Sequence, residues 1–509
     1  MRRSNVIYRT FLWTGSLGIV LHLAAPHLLP AQAKTVTCSS KEGERQSCPA
    51  DTSSGVVLQH SLGPAECLLG KTWGYDDQNV WVSDGCSGEF ELGQTTPTST
   101  VQKAPPPEEP HIQTWGAIEA GKGFLVGRTG IGELSISAYA LTRYLDQLPD
   151  HQTFIDHLGV SHTIDPRDDI YAHRIMLFFK GWIGRPKLIY NIILWTVNTT
   201  DQRAIFAVTG YQFSRKFSLY GGLNGLPGTR SLVGSHPYWL GNDRVMADEF
   251  FRPFFTNGIW ASGEPVPGLW YVGMIGNNLS ALGITANQLT RSFASGGSVW
   301  WMPTTKEFGP QGAYGDWEDH EHLATRFGVS AMRSRENRFS DSVSGDPDNT
   351  TIRLADSLNV FSPGSLAPGV TAQEVTYKLL SFDAGLKYHG IFLQTEVYHR
   401  WLTHFIADGP VPVSTILDKG FYIQAAFYPV TKKLEVYGAT SQIFPDKNLG
   451  FRNSWEYLAG MNFYLAHSRN YRINAQVIEV NRSPVSSTFG YYVGGERGPI
   501  LSTALSIFF

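Results

Sequence analysis

The sequence predicts an all-β protein, in which a small disulfide-stapled β-rich domain precedes a transmembrane outer-membrane β-barrel of about sixteen antiparallel strands. The first observation is the heavy use of glycine and aromatic residues, with 52 Gly, 22 Tyr and 14 Trp among 509 residues. The second is a series of alternating runs of about ten residues beyond position 112, separated by turn residues. The third is the confinement of all four cysteines to one short stretch near the start.

Residues 1–33 are predicted to be a signal peptide. A basic start (MRRSNVIYR) is followed by an apolar stretch and by the small-x-small sequence Ala31-Gln32-Ala33, which is the pattern of a cleavage site. We therefore expect an exported chain that begins near Lys34. The alternative is an uncleaved membrane anchor, which the Thr, Gly, Ser and His residues of the apolar stretch disfavour.

Residues 35–92 are predicted to form the small domain. Its cysteines are Cys38, Cys48, Cys67 and Cys86. An even set in an exported chain indicates two disulfides that hold together a domain with a small core. Three pairings of four cysteines exist, and the sequence does not choose among them. A zinc site is the alternative, but the stretch contains no Cys-x-x-Cys pair.

Residues 93–111 (GQTTPTSTVQKAPPPEEPH) are a predicted Pro/Thr-rich linker, and residues 112–509 are the predicted barrel. Tight turns such as VTKK alternate there with long connections such as RSPVSSTFGYYVGGERG, as in bacterial outer-membrane barrels. The predicted strands lie at 132–143, 169–182, 186–198, 202–214, 217–224, 256–262, 269–277, 322–333, 350–360, 371–386, 389–405, 419–428, 434–444, 454–467, 470–481 and 499–509.

The last predicted strand, in GPILSTALSIFF, has one face for lipid and one for water. Leu501, Leu505 and Phe509 share the first face, and Ser502 and Ser506 share the second. We therefore expect Phe509 to close the barrel. The alternative is a soluble β-rich protein, which strands as long as GIFLQTEVYHRWLTHF disfavour because strands in soluble proteins average about five or six residues.

The connection LPGTRSLVGSHPYWLGNDRVMADEFFRPFF is the candidate pore constriction. A barrel of about sixteen strands encloses an aqueous channel, and charged side chains on an inward-folded loop would narrow it and set its selectivity. The candidate residues are Arg230, His236, Asp243, Arg244, Asp248, Glu249 and Arg252. The alternative is an ordinary extracellular or subunit-contact loop.

A second set of charged residues is predicted to face the lumen. A basic side chain on the lipid face at mid-depth costs about 2–4 kcal/mol, so the alternation of each strand turns these residues inward. They are Arg174, Lys180, Arg326, Glu396, Arg400 and Arg472. The alternative for any one of them is a place near the rim. The basic members favour anions, whereas Glu396, Glu435 and Glu456 oppose that preference.

No enzyme, metal or other cofactor is expected. The segment GDWEDHEHLATRFG contains His320-Glu321-His322, which on an extended chain places both imidazoles on one side, as a divalent cation would need. Charged residues before a strand are commonplace, however. The sequence contains no P-loop or HExxH motif and no evident Ser/His/Asp arrangement. A net charge of −3 gives no indication of nucleic acid binding.

Several barrel segments resemble the phosphate-selective porin (O/P type) superfamily. They include FSLYGGLNGLPGTRSLVG, GLWYVGMIGN, DHEHLATRFGVSA and GFYIQAAFYPVTKKLEVYGATSQIF, and the resemblance covers most of residues 200–509. It implies a trimeric sixteen-strand outer-membrane pore with an inward-folded loop and anion-binding Arg and Lys residues along the lumen. The chain departs from that pattern because it lacks a lysine cluster, so a general or differently selective pore is an equal expectation.

The motif order of the small domain, with WGY, WV and GC after three cysteines, is similar to a family of exported bacterial proteins of unknown function. Trp73, Tyr75 and Trp81 are expected to form its core. The alternative is an aromatic face that contacts carbohydrate such as peptidoglycan.

Together, these features predict a porin that forms a water-filled diffusion channel for small solutes or ions. Its partners would be outer-membrane lipid and two further copies in a homotrimer, with the small domain in the periplasm. The alternatives are a non-conducting barrel with a structural, adhesive or cell-wall-binding role and, less favoured, an outer-membrane hydrolase.

Overall fold

The computed structural model describes residues 34–53, 55–92, 116–197, 202–234, 236–279, 289–338, 352–486 and 490–509. The chain divides into two compact units, Met1–Glu109 and Pro110–Phe509. The predicted signal peptide at 1–33 and the predicted linker at 93–111 lie outside the described residues. Among the described residues, we find no helix with the length and apolar character needed to cross a membrane.

The first unit is β-rich, as its sequence predicts. Its strands are β1 (Lys34–Ser39), β2 (Arg45–Pro49), β3 (Val56–Ser61), β4 (Trp73–Tyr75), β5 (Asn79–Ser83) and β6 (Ser87–Leu92). They form two antiparallel three-stranded sheets in the orders β1-β6-β3 and β2-β5-β4. The disulfides join Cys38 to Cys48 and Cys67 to Cys86. The predicted pair of disulfides is therefore confirmed, and the fold decides the pairing that the sequence left open.

The three aromatic residues of this unit lie in different environments. Trp73 is buried against Phe90, with ring centroids 4.8 Å apart. Tyr75 is exposed, and Trp81 is half-buried with the Arg45 guanidinium 3.9 Å from its ring centroid. Of the three rings, therefore, only that of Trp73 belongs to the buried core.

The second unit is a closed antiparallel barrel of sixteen strands. These strands are β8 (Gly132–Gln147), β11 (Asp168–Ile183), β12 (Arg185–Val197), β13 (Gln202–Ser214), β14 (Phe217–Gly225), β15 (Phe255–Val266), β16 (Leu269–Gly276), β17 (Ala294–Trp301), β18 (Ala324–Asn337), β19 (Ala372–Tyr388), β20 (Ile391–Ala407), β21 (Thr415–Val430), β22 (Leu434–Phe444), β23 (Ser454–Tyr464), β24 (Tyr471–Asn481) and β25 (Arg497–Phe508). Three shorter strands accompany them: β7 (Phe124–Thr129), β9 (Gln152–Ile155) and β10 (Ser161–Ile164).

The predicted count of sixteen barrel strands is confirmed, although one predicted strand is wrong and one of the sixteen was missed, as were the shorter strands β7, β9 and β10. The described part of the predicted strand 350–360 forms turns with a bridge between Arg353 and Asn359, and it carries buried side chains on both faces. The missed strand is β17, whose sequence ASGGSVWW lacks a clear alternation because Gly296 and Gly297 have no side chains. The two errors cancel in the total.

The barrel closes along β8. Residues 139–147 of β8 pair with β25, and residues 132–136 pair with β7. The backbone of Phe509 exchanges hydrogen bonds with that of Ala138, and its ring lies 5.1 Å from that of Phe124. β25 and β7 therefore lie end to end along one neighbour.

The two ends of the barrel differ. The end that holds Phe509 carries tight turns, such as those at 184, 267–268 and 389–390, and we call it the short-turn end. The other end, the long-loop end, carries the connections after β8, β14, β16, β18 and β24. One connection breaks this pattern: residues 302–323, between β17 and β18, form a long segment at the short-turn end.

Side chains alternate between an apolar exterior and a mixed interior. In β25, Leu501, Leu505 and Ile507 are exposed, whereas Ser502 and Ser506 are buried. The same alternation places exposed apolar side chains on the outside of neighbouring strands, such as Ile205, Ile259, Ile275, Phe327 and Phe382. Polar and charged side chains therefore face inward.

Candidate functional site: the lumen of the barrel

The connection between β14 and β15, described at residues 226–234 and 236–254, lies inside the barrel and is buried almost throughout. We call it the inward loop. It contains the helix α1 (Met246–Phe251), which lacks a side-chain cap of its own. Instead, the backbone N–H of Met246 donates to Glu456 at 2.9 Å and that of Ala247 donates to the Ser441 hydroxyl at 3.1 Å. Two otherwise unsatisfied helix N–H groups are thus bound by the barrel wall.

An ion pair fixes the inward loop to β11. The guanidinium of Arg174 lies 3.2 Å from both carboxylate oxygens of Asp243, and His173 Nε2 lies 3.2 Å from the same carboxylate. Burial raises the pKa of Asp243, but Arg174 and His173 outweigh it and hold that pKa well below its usual value. A β-bulge between Ala172 and Arg174 turns both His173 and Arg174 inward.

Arg230 contacts two parts of the barrel outside the inward loop. Its backbone N–H donates to Glu396 at 3.0 Å, its Nε donates to Gln394 at 2.9 Å, and its Nη2 donates to the backbone oxygen of Gly312 at 2.6 Å. Its guanidinium lies 4.3 Å from the ring centroid of Tyr314. Arg230 therefore joins the inward loop to β20 and to the 302–323 segment.

A second group of charges surrounds α1. The guanidinium of Arg252 binds both oxygens of Glu249 at 2.9 Å, and Arg244 lies 3.8 Å from Asp248. Burial raises the pKa of Asp248 to about 6, although Arg244 and a hydrogen bond from Ser231 oppose that shift. Asp248 is thus a carboxyl group that titrates near neutral pH inside the lumen.

The remaining candidate of the inward loop, His236, is buried among aromatic rings. Its ring centroid lies 5.1 Å from those of Tyr139 and Trp239, in edge-on contacts. Its backbone forms a parallel bridge with that of Ile118. The segment 116–121, which precedes β7, thus also contacts the inward loop.

The predicted lumen-facing residues fall into two groups by their contacts. Arg174, Glu396 and Arg472 bind the inward loop directly, Arg472 through the backbone oxygens of Trp239 and Gly241. The other three bind other parts of the barrel. Arg326 donates to Asp383 at 2.9 Å, Arg400 donates to Asp418 at 2.6 Å, and half-buried Lys180 donates to the backbone oxygen of Gly121.

A second segment, residues 302–323, enters the lumen from the short-turn end. This feature was not predicted, and its signal in the sequence is the cluster of charges in GDWEDHEH. The backbone N–H of Tyr314 donates to the backbone oxygen of Tyr238 at 2.9 Å, so this segment meets the inward loop. Trp317 packs on Tyr464 with ring centroids 4.6 Å apart. We call this segment the counter-loop.

One acidic residue of the counter-loop, Glu318, is bound by two cations of the barrel. Arg469 donates to Glu318 at 3.1 Å, and Lys387 Nζ lies 3.6 Å from the same carboxylate. Burial raises the pKa of Glu318, but these two cations outweigh it and lower that pKa overall. The counter-loop is therefore held in the lumen by ion pairs as well as by aromatic packing.

The residues that could hold a metal ion in the described part of the chain are Asp316, Glu318 and His320, whose ligand atoms lie within 4.8 Å of one another. Their atoms already have partners. His320 Nδ1 is bound to Asp316, its Nε2 lies 2.7 Å from Glu307, and Glu318 lies beside Lys387. A divalent cation would compete with these bonds.

Residues 28–106 match the family model "Protein of unknown function (DUF3011)", as the resemblance of the small domain implies. No curated protein is found to match the sequence.

Solved structures similar to this chain include several outer-membrane proteins. "Outer-membrane expressed OmpT of Vibrio cholerae" has 9% identity and a TM-score of 0.47 over 76% of this chain and 100% of that chain. An anion-selective porin from Comamonas acidovorans has 12% identity and a TM-score of 0.42 over 74% and 100%. OmpF of Salmonella typhi in complex with daunomycin has 11% identity and a TM-score of 0.45 over 76% and 100%.

Proposed function

We propose that this chain is an outer-membrane channel of the porin type, in which the inward loop determines the width and the charge of the pathway. The strand number is even, and the exterior carries apolar side chains such as Ile259 and Phe382, as expected where strands contact lipid. Because charged side chains avoid lipid, the inward direction of Arg174, Arg400 and Arg472 supports the same orientation.

The observation that carries this proposal is the pairing of charges between the wall and the inward loop. Arg174 of the wall binds Asp243 of the loop, and Glu396 of the wall binds the backbone of Arg230. Charged groups in a narrow, water-poor passage are the means by which pores select ions. A preference for anions is part of the proposal, because guanidinium groups stay charged at any ordinary pH, whereas Asp248 has a pKa of about 6.

The finer assignments are proposals as well. They are a phosphate-selective subtype, a homotrimer in the membrane, export by a signal peptide, and a linker that leads from a periplasmic domain to the barrel. The short-turn end of bacterial barrels faces the periplasm, and the exposed Tyr75 and half-buried Trp81 of the small domain offer an aromatic surface for cell-wall carbohydrate. A pull-down of peptidoglycan by the full chain, with Tyr75→Ala as the variant, tests that contact.

A non-conducting barrel is the second candidate, and one observation favours it. The counter-loop meets the inward loop through Tyr314 and Tyr238, so segments from both ends fill the lumen. Such a barrel would act through its loops or through the small domain rather than by passing solutes.

Conductance in a planar lipid bilayer separates the two candidates. Full-length protein is refolded, and folding is checked by its heat-modifiable migration in gels. Discrete current steps support the channel, and a reversal potential that follows the anion gradient supports the anion preference. Folded protein that passes no current, with the counter-loop either present or removed, would contradict the channel and leave the non-conducting barrel.

A further inference from the structure

A cavity of about 450 Å³ lies among the connections of the long-loop end, apart from the contacts that hold the inward loop. It is lined by the β9–β10 hairpin, by the segment around Asp356 and by the ends of β23, β24 and β25. Its volume lies within the range of small-molecule sites, which is about 300–1,000 Å³.

Three arginines line this cavity: Arg452, Arg482 and Arg497. Each follows from the barrel register, since Arg452 precedes β23, Arg482 follows β24 and Arg497 begins β25. Asn481 pairs with Arg497 across the last two strands, and Arg482 Nε donates to the backbone oxygen of Asn453 at 3.3 Å. Residues that are far apart in sequence thus meet at one rim.

The three positive charges are not neutralised by acids in the described part of the chain. Among described residues, no carboxylate lies within ion-pair distance of any of the three guanidinium groups. Burial and the charges of Arg497 and Arg452 lower the pKa of Arg482. Arg482 also has a left-handed backbone, with φ of 57°, a conformation that is uncommon for a non-glycine residue.

The two carboxylates of the cavity wall are bound elsewhere. Asp156 accepts from His162 Nε2 at 2.8 Å and from the backbone N–H groups of Leu158 and Val160. Asp356 is bound by His157, through Nδ1 at 2.6 Å and through the backbone N–H at 3.0 Å. Three guanidinium groups against these two carboxylates give the lining of the cavity a net positive charge.

Two aromatic rings, those of Phe154 and Phe451, also line the cavity. Phe154 stacks on His162 with ring centroids 4.9 Å apart, and Phe451 packs on His157 at 4.6 Å. The side-chain amide of Gln152 donates to the backbone oxygen of Arg497 at 2.9 Å and accepts from its backbone N–H at 3.1 Å, which holds the hairpin against β25. The aromatic wall and the arginines are therefore parts of one folded site.

We propose that this cavity binds a small organic anion, with the arginines holding its carboxylates or phosphates and the aromatic wall contacting its flat apolar part. Guanidinium groups bind carboxylates and phosphates in pairs of parallel hydrogen bonds, which are about twice as strong as neutral ones. Aromatic dicarboxylates are the class that matches both features. This site goes beyond the proposed channel function, because binding here requires no current.

Isothermal titration calorimetry on the refolded full-length chain in detergent tests the site with phthalate as the probe. Phthalate is expected to bind, inorganic phosphate to bind more weakly, and neutral benzamide to give no heat. The variant Arg452→Gln/Arg497→Gln should weaken phthalate binding by at least about tenfold, since each charge-assisted bond contributes on that scale. The control Lys432→Gln/Lys433→Gln removes two exposed charges from the opposite end of the barrel and should leave the affinity unchanged.

Four outcomes overturn the proposal: no binding of phthalate to folded protein, equal binding of inorganic phosphate, unchanged affinity in the arginine variant, or an equal loss in the lysine control. None of these depends on conduction. A protein that binds phthalate but passes no current would contradict the channel and support this site. A protein that passes current but does not bind phthalate would support the channel and contradict this site.

Discussion

The backbone N–H of Tyr314 donates to the backbone oxygen of Tyr238 at 2.9 Å, which joins two segments that enter the barrel from opposite ends. Arg230 reinforces the junction through the backbone oxygen of Gly312. The inward loop thus has a partner in the counter-loop, and any pathway through the barrel must pass this junction.

Shortening the counter-loop is therefore expected to raise conductance severalfold. Replacing residues 305–319 by a short glycine-containing turn removes Tyr314, Trp317 and Glu318 from the lumen, and single-channel recording measures the effect. The same number of residues cannot be removed from the 408–414 connection, so a four-residue deletion there serves as the control. Arg469→Gln, which loses its bond to Glu318, should raise conductance less. Unchanged conductance in the folded deletion variant would show that the counter-loop does not obstruct the pathway.

Lowering the pH through about 6 is expected to make the lumen more selective for anions. Asp248 has a pKa near that value, so its negative charge is present at pH 7.5 and absent at pH 5. The reversal potential under a salt gradient measures the change. Asp248→Asn should show, at both pH values, the anion selectivity that the unmodified chain shows at pH 5. The control variant Glu321→Gln, at an exposed position, should change its selectivity with pH as the unmodified chain does. A pH response that persists in Asp248→Asn would assign the titration to another group.

The same carboxyl group affects stability in a defined direction. Its pKa is raised in the folded protein, from 3.8 to about 6, so the folded state binds the proton more tightly than the unfolded state does. The contribution of the Asp248 carboxyl group to the free energy of unfolding is therefore fully present below about pH 4 and is lost as the pH rises through 6. Urea unfolding at pH 4.5 and pH 7 should show a smaller pH dependence in Asp248→Asn than in the unmodified chain.

Removing Arg174 is expected to destabilise the barrel by about 3 kcal/mol, because Asp243 is left as a buried charge without its main partner. Urea unfolding of the refolded protein measures the loss. The double variant Arg174→Gln/Asp243→Asn should recover most of it, since both charges are then absent. Arg128→Gln, which removes a half-exposed ion pair with Glu133, should cost no more than about 1 kcal/mol. Equal losses in both single variants would refute a special role for the buried pair.

Loss of either disulfide should destabilise the small domain by about 2–4 kcal/mol without affecting the barrel. The variants Cys38→Ser/Cys48→Ser and Cys67→Ser/Cys86→Ser test this through the rate at which a protease cleaves the domain. Heat-modifiable migration reports on the barrel in the same samples. A simultaneous loss of barrel folding would mean that the two units are energetically coupled.

Much of the barrel could be predicted from the sequence because lipid imposes a local rule. An exterior side chain must be apolar and its neighbour faces inward, so alternation alone places Leu501 outside and Ser502 inside. The same rule turns Arg400 inward, where it binds Asp418. Strand β17 was not predicted, because two of its residues are glycines, which interrupt the alternation of apolar and polar side chains.

The contents of the lumen depend on contacts between residues that are far apart in sequence, and no local rule predicts them. The β-bulge at Ala172 brings His173 to Asp243, and the register of β20 brings Glu396 to the backbone of Arg230. The counter-loop, the cysteine pairing and the cavity with Arg452, Arg482 and Arg497 arise in the same way. Alternation along the sequence is enough to predict a membrane-type barrel with a charged interior, because the surroundings of each face restrict which residue types it can carry. Which charges meet inside follows from the closed barrel, because ion pairs and packing depend on distances between residues on different strands and loops.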